Sequence, residues 1–567
     1  MTRRDGPWME RRLLPFCVLV IAAMQPALWA QGSKNPPGSR VLELTETQKI
    51  RHVLSRFAFG PTPGLVERVR RQGLDAWFEE QLECKGKSPQ ILRDRLADLD
   101  TWGRSAGDIL LELQRIREDI GPDPKQKDRV RLNRARNLAR NQLKDAVLFH
   151  AIYSGNQVLE TAVDFFRNHF NVTVNKGSVR YYATEYERDI LRKGALGSFG
   201  WLLEHTAKSP AMLFYLDNYL SRRPPSKQEL KGIERRVRRR TKSRKRAEEE
   251  VEIAKQRGLN ENYGRELLEL HTLGVDNYYR QKDVIEVAKA LTGWTISRDR
   301  KNKTVSFQFR SDMHIPGPKT FLGSVIPEIK KNPVREGEMV LERLVKHKGT
   351  AHFLAWKLCR WFIADDPPED CVQRIAKVFH KTNGEMKAVL RAIYHDSEFW
   401  NPKNFQTKFK RPFEFVVSAL RVTGAEVRST RALHRALKVL SEPIYECEDP
   451  TGYYDQAEAW NDPGVLAVRW SFAMQLATNK IPGIRIPDSF YADLHPSLPQ
   501  VWKDQLARKM LPAGIGDKTD KVLDAIIRKV IREQKEVRAG RRKKPLKKVL
   551  APLLVGLLLG SPEFQKQ

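Results

Sequence analysis

The run Asn260-Glu261-Asn262-Tyr263-Gly264-Arg265-Glu266-Leu267-Leu268-Glu269-Leu270-His271-Thr272-Leu273-Gly274 is strongly polar without being simply basic. Its residue types suit proton transfer. Glu266 would act as acid and base, and Arg265 or Asn262 would orient it or hold an anionic substrate. A second carboxylate one turn on, Glu269, would let the pair serve both halves of a hydrolytic step. At ~100° per residue, Asn262, Arg265, Glu266 and Glu269 fall on one arc of a helix. Tyr263, Leu267 and Leu270 recur on another side, and His271 falls near Leu267 and Leu268. A wet surface face would give the same pattern.

For these side chains to act together, distant blocks must meet them. Asn260 reads as the N-cap of this helix and Gly274 as its C-terminal stop. His169, among Phe165, Phe166 and Phe170, is either a hydrogen-bonded core histidine or the second proton carrier. Asp217 and Asn218 end the apolar segment 211–220. Thr304–Phe309 alternates as a strand, and His314 and Lys319 lie in the loop beyond it. The expected pocket gathers His169, Asp217, Asn218, Asn260, Glu261, Asn262, Arg265, Glu266, Glu269, His314 and Lys319. Glu266, Glu269, His169 and His314 are metal-ligand types, but no spacing enforces a metal, and none is assigned; any cofactor is left unknown. Phosphate-binding loops, dinucleotide-binding glycine patterns, His-Glu-x-x-His and nucleophile elbows are missing.

These blocks carry a family resemblance. Asn260 to Gly274, followed by Leu291-Thr292-Gly293-Trp294, resembles the core signature of the bacterial DUF1800 family. Ser55 to Pro63, Leu74 to Trp77, Asn168-His169-Phe170, Met212 to Asn218, His314 with Gly317, Lys319, Leu322 and Gly323, Lys357 to Arg360, and Ser561 to Phe564 match further blocks. The resemblance covers nearly everything after residue 45. It implies a large exported protein with no settled activity, and a possible partner from a second exported family, DUF1501. Two departures stand out. Ile315 follows His314 where the family often has Asp, which undercuts a His-Asp unit there. Residues 222–257 replace a much shorter loop and crowd Arg235, Arg236, Arg238, Arg239, Arg240, Lys242, Arg244, Lys245 and Arg246 together. They read as an inserted basic arm, helical or disordered.

The 567 residues carry 101 Lys plus Arg against 69 Asp plus Glu, a formal net charge of +32. Such a balance favours an anionic partner: an acidic polysaccharide, an envelope polymer or lipid headgroups. Export argues against nucleic acid. Residues 1–30 have signal-peptide anatomy, with Arg3, Arg4, Arg11 and Arg12 before an apolar core and Ala30 at the cleavage point. A Sec route to the periplasm or envelope is favoured; an uncleaved anchor is the alternative. Residues 31–44 read as a flexible linker. The apolar run 549–559 is too short to span a bilayer, so the mature chain has no transmembrane segment. Cys84, Cys359, Cys371 and Cys447 remain after cleavage, at spacings that demand no disulfide; they read as buried thiols.

The expected fold is mainly α, a large multi-helical globular domain over 45–567 with at most a small β-hairpin near 304–322 and a possible sub-boundary near 400. Two functions stay open. One is an envelope binding or scaffold protein with a basic surface for an anionic polymer or a DUF1501-like partner. The other is a hydrolytic or lytic enzyme on an envelope polymer or polysaccharide, with Glu266 as acid and base.

Overall fold

A computed structural model describes residues 43–567 apart from 87, 242, 256–257, 276–277, 512 and 537–544. The expected signal peptide and most of the linker lie outside the described residues, as does Lys242. The chain divides into two units, residues 1–45 and 46–567. The second is mainly helical, as its periodicity requires.

Apolar helices pair to form its core. Lys348–Phe362 packs along Glu369–Lys381, and Pro463–Ala477 packs along Leu546–Gly560. The last of these buries Leu550, Leu554, Val555 and Leu558 completely. No helix of the described residues is long and apolar enough to cross a membrane.

Among the described residues, three two-stranded antiparallel ladders complete the unit. β1 (Trp294–Asp299) pairs with β2 (Thr304–Phe309), from Trp294 opposite Phe309 to Asp299 opposite Thr304. β3 (Lys319–Phe321) pairs with β4 (Ser324–Ile326). β5 (Glu426–Val427) pairs with β6 (Ile484–Arg485). The alternating strand is therefore where the sequence puts it, but its partner is upstream and not within 304–322. The run after Leu291 hides that strand because Trp294 is fully buried and reads as core.

Two features position the polar blocks. Helix Asn262–Glu269 buries Tyr263, Gly264, Leu267 and Leu268 against helix Gln281–Ala290. A Cβ at Gly264 would stand 3.1 Å from Val284 O and 3.2 Å from Ala288 Cβ, so the helices approach closely only because this residue is glycine. Further back, helix Val179–Glu185 runs into a π-helical turn, Tyr186–Leu191. That turn carries Glu187, fully buried, to Arg167 (2.9 Å), and Tyr445 Oη donates to the same carboxylate at 2.6 Å.

The basic segment is a helical hairpin, Lys227–Thr241 and Arg244–Lys255, whose helices pack on each other. Val237 and Ala247 are buried while the arginines around them are exposed. At its foot Glu229 accepts from Arg222 (3.2 Å) and Arg223 (3.0 Å).

Candidate functional site

Glu261, at φ −83° and ψ −15°, already has helical angles ahead of helix Asn262–Glu269, so the capping role falls to Asn260, as its residue type suggests. Its Oδ1 accepts from Asn262 N (2.9 Å), while its Nδ2 donates to Asp217 O (3.2 Å). Asn262 Nδ2 donates to Leu216 O (3.4 Å). Both amides thus fasten the helix to the end of Pro210–Tyr215. Glu261 and Arg265 point the other way and share Gln281: its Nε2 donates to Glu261 (2.6 Å), and Arg265 Nη2 donates to its Oε1 (2.8 Å). An open cleft of about 760 Å³ lies here, lined by Leu220, Gly258, Leu259, Asn260, Glu261, Asn262 and Arg265. Four of the anticipated residues therefore share one solvent-facing wall, at the foot of the basic hairpin.

Glu266 faces a different neighbourhood. It is half-buried, and its carboxylate makes no hydrogen bond or ion pair among the described residues. Burial, then Glu269 and Asp449, push this carboxyl up to about 7 against the pull of Arg265. Tyr215 lies in the same field; burial first, then Cys447, Asp449 and Glu266 raise its phenol. Its hydroxyl donates to Glu448 O (2.7 Å). Asn171 Nδ2 donates to Asp449 O (2.7 Å) and Cys447 O (3.2 Å). Asn168 clamps the same loop further on: Nδ2 donates to Tyr453 O (2.8 Å) and Oδ1 accepts from Tyr453 N (2.7 Å). Asp449, Asn171 and Tyr215 were not anticipated as site residues. Asn171 adjoins the Asn168-His169-Phe170 block, and Asp449 opens a Pro-Thr-Gly turn; neither signal reveals that Asn171 holds the Asp449 loop or that Asp449 acts on Glu266.

The two anticipated histidines have hydrogen-bond partners of their own. His169 is buried, with Nε2 3.2 Å from His271 O and Nδ1 unpartnered. Burial, Lys357 and His271 hold its imidazole neutral. The charges that act on it are not those that act on Glu266, and no hydrogen bond joins the two. Lys357, which the sequence marks only as part of a family block, is itself pushed by burial down to about 8, with Asp455 opposing.

His314 does meet Lys319, in a second buried cluster. Its Nδ1 lies 2.8 Å from Thr292 O, and its Nε2 stands between Lys319 Nζ (3.2 Å) and Glu336 Oε2 (3.1 Å). Lys319 also pairs directly with Glu336. Burial pushes the Glu336 carboxyl up, but Ile329 N–H, Lys319 and His314 outweigh it and hold it low. The acidic partner that Ile315 cannot supply thus comes from 22 residues downstream.

Asp217 and Asn218 bind the chain to itself. Asp217, in the left-handed region at φ 60°, accepts from Lys176 Nζ (2.6 Å). Asn218, fully buried, donates to Leu291 O and Trp294 O, both at 3.3 Å. Among the described residues no three His, Cys, Asp or Glu side chains are grouped to share a metal ion.

The blocks that surround the cleft, the Glu266 recess and the His314 cluster are spread over the whole chain, and the comparison with family models spans them. The model described as "Protein of unknown function (DUF1800)" matches residues 52–566. The chain belongs to the DUF1800 family. Comparisons with curated proteins and with solved structures gave no match. The DUF1800 match therefore covers both the Glu266 recess and the basic hairpin without assigning either a role.

Glu266 in this DUF1800 chain yields a stability prediction. Its folded-state pKa lies above the ordinary carboxyl value, so its stabilising share is complete below about pH 4 and is lost as pH rises through about 7. Glu266→Gln stays neutral throughout. It is expected to gain about 1 kcal/mol over the parent at pH 8.5, after discounting for solvent screening of a half-exposed group, and nothing at pH 4. Thermal melts of both proteins at the two pH values check this; an equal difference at both would contradict it.

Proposed function

We propose that this protein is an exported binding or scaffold protein that holds an acidic polysaccharide or related envelope polymer along its basic hairpin and the cleft at the hairpin's foot. One observation carries the reading. Arg235, Arg236, Arg239, Arg240, Lys245 and Arg246 are exposed, and none has an ion-pair partner among the described residues. Among the described residues of that stretch, Arg238 (3.6 Å from Glu234) and Arg244 (2.8 Å from Glu248) are the paired ones. Cations concentrated on one small element, only partly balanced by the glutamates of its second helix, attract a polyanion and release its counterions on binding. Asn260, Asn262 and Arg265 in the cleft add donors suited to sugar hydroxyls or carboxylates. Family resemblance also puts an exported DUF1501-like protein among the candidate partners.

The test uses polygalacturonate as the probe and neutral dextran as control. The full chain is expected to bind polygalacturonate with an affinity that falls steeply with salt. The variant R235Q/R236Q/R239Q/R240Q is expected to bind at least about tenfold more weakly, with a shallower salt dependence. Equal binding by parent and variant, or equal binding of dextran, would overturn the reading.

A second reading rests on Glu266. A half-buried, unpaired carboxyl near neutrality beside two further carboxylates is suited to give and take a proton at physiological pH. It requires turnover of the bound polymer, with a pH limb near 7, that Glu266→Gln abolishes.

A further inference from the structure

Helix Lys348–Phe362 and helix Glu369–Lys381 form a hairpin, each donating one cysteine to their shared face. Cys359 Sγ and Cys371 Sγ stand 3.9 Å apart, and both residues are at most 1% exposed. Cys84 is exposed and Cys447 partly so, and neither has a thiol partner among the described residues. A disulfide needs its sulfurs at about 2.0 Å, and these two thiols are already in contact across the hairpin.

We propose that Cys359 and Cys371 are an oxidation site, and that in an oxidising compartment the native protein carries a disulfide joining these two helices. The inference does not rest on the binding reading; it needs only a disulfide donor. The sequence's expected export supplies the compartment where such bonds persist.

The chemistry is thiol–disulfide exchange. One cysteine, as thiolate, attacks a sulfur of the donor, either oxidised glutathione or a disulfide oxidase. That breaks the donor's S–S bond and expels one donor thiolate. The other cysteine, as thiolate, then attacks the mixed disulfide at the protein sulfur, forms the Cys359–Cys371 bond and expels the second donor thiolate. The two protons released by the protein convert the expelled groups to thiols, and the donor takes up the electron pair. The hydrogen bond with the Cys371 thiol, then burial, raises the Cys359 thiol far above its ordinary range, so the closed hairpin reacts slowly. The bond therefore forms as the hairpin folds. The loop it closes is short and local, with twelve residues separating the pair in number.

The test needs no variant. The full chain is reduced and denatured, then refolded in a glutathione redox buffer. N-ethylmaleimide under denaturing conditions blocks the free thiols, and the peptides are mapped by mass spectrometry. Expected is a covalent pair of the Cys359 and Cys371 peptides, lighter than their sum by two hydrogens, with Cys84 and Cys447 alkylated. Alkylation of both Cys359 and Cys371, under conditions where reduced lysozyme recovers all its disulfides, would overturn the proposal. So would a crosslink from either one to Cys84 or Cys447.

Discussion

Arg411→Met is expected to destabilise the protein by about 3–5 kcal/mol, seen as a fall in the guanidinium midpoint at unchanged slope. Arg411 is fully buried, with its guanidinium over the Trp361 ring at 4.3 Å. Its Nη2 donates to Asp164 and its Nη1 to Glu442, both at 2.5 Å, and Glu414 and Asp455 stand at 3.8 Å. Asp164 would keep Arg167 (2.7 Å) and Asp455 would keep Lys408 (3.1 Å). Glu442 would keep only the Phe413 N–H (2.7 Å). The cost comes from leaving that buried carboxylate without the cation bonded to it, which exceeds the loss of the pair itself. A loss below about 1 kcal/mol would show that the carboxylates are neutralised by other means. Arg411→Lys keeps the charge but not the fork and should fall between.

The neighbouring cation should behave in the opposite way. Lys410→Met is expected to stabilise the protein by about 3 kcal/mol at pH 6. Lys410 is buried, and its Nζ donates to Phe564 O (2.9 Å) with no ion pair among the described residues. Burial pushes its amine down to about 7, with Glu414 opposing and Arg469 adding to the push. In the unfolded chain the amine titrates near ~10.4. The folded state therefore binds the proton more weakly. The wild type carries the whole penalty below about pH 7, and the penalty fades as pH rises towards ~10.4. That gap is worth roughly 4–5 kcal/mol, less about 1 kcal/mol for the lost bond to Phe564 O. Melts at pH 6 and pH 10 decide: the gain should be large at the first and absent at the second. A variant no more stable than the parent at pH 6 would refute the argument.

The helices were legible because each carries its own period. Glu46–Arg56 and the core of Asn262–Glu269 match the apolar spacing, and Leu546–Gly560 contains the apolar run 549–559. Local residue types do not always mark a start: Thr62 and Pro63 have the types of a cap and first turn, yet the helix begins at Leu65, because Gly64 takes φ 77° and redirects the chain. The basic arm was legible from charge alone; that it is a packed helical hairpin came from Val237 and Ala247, two small apolar residues lost among arginines. The site was harder to read. Asn218, expected at the site, and Asn168, part of a family block, both hydrogen-bond the backbone of loops far away in the chain, which local spacing does not record. Glu336, Asp449 and Asp455 look like ordinary surface acids until tertiary packing sets them beside His314, Glu266 and Lys408. Local spacing records what a helix face carries, not what another loop lays against it.

The π-helical turn at Tyr186–Leu191 bears on how that packing is aimed. A wider turn of this kind spends one residue more than an α-turn, so whatever follows it is rotated by ~100° relative to an uninterrupted helix. Before the turn, Tyr182 and Ala183 face the core; within it, Glu187 reaches Arg167; just after it, Arg192 grips Glu160 at 2.7 Å. An evenly wound rod could not address all three directions from so few positions. The phase offset therefore serves as a joint, setting two buried ion pairs on separate bearings while the backbone continues unbroken.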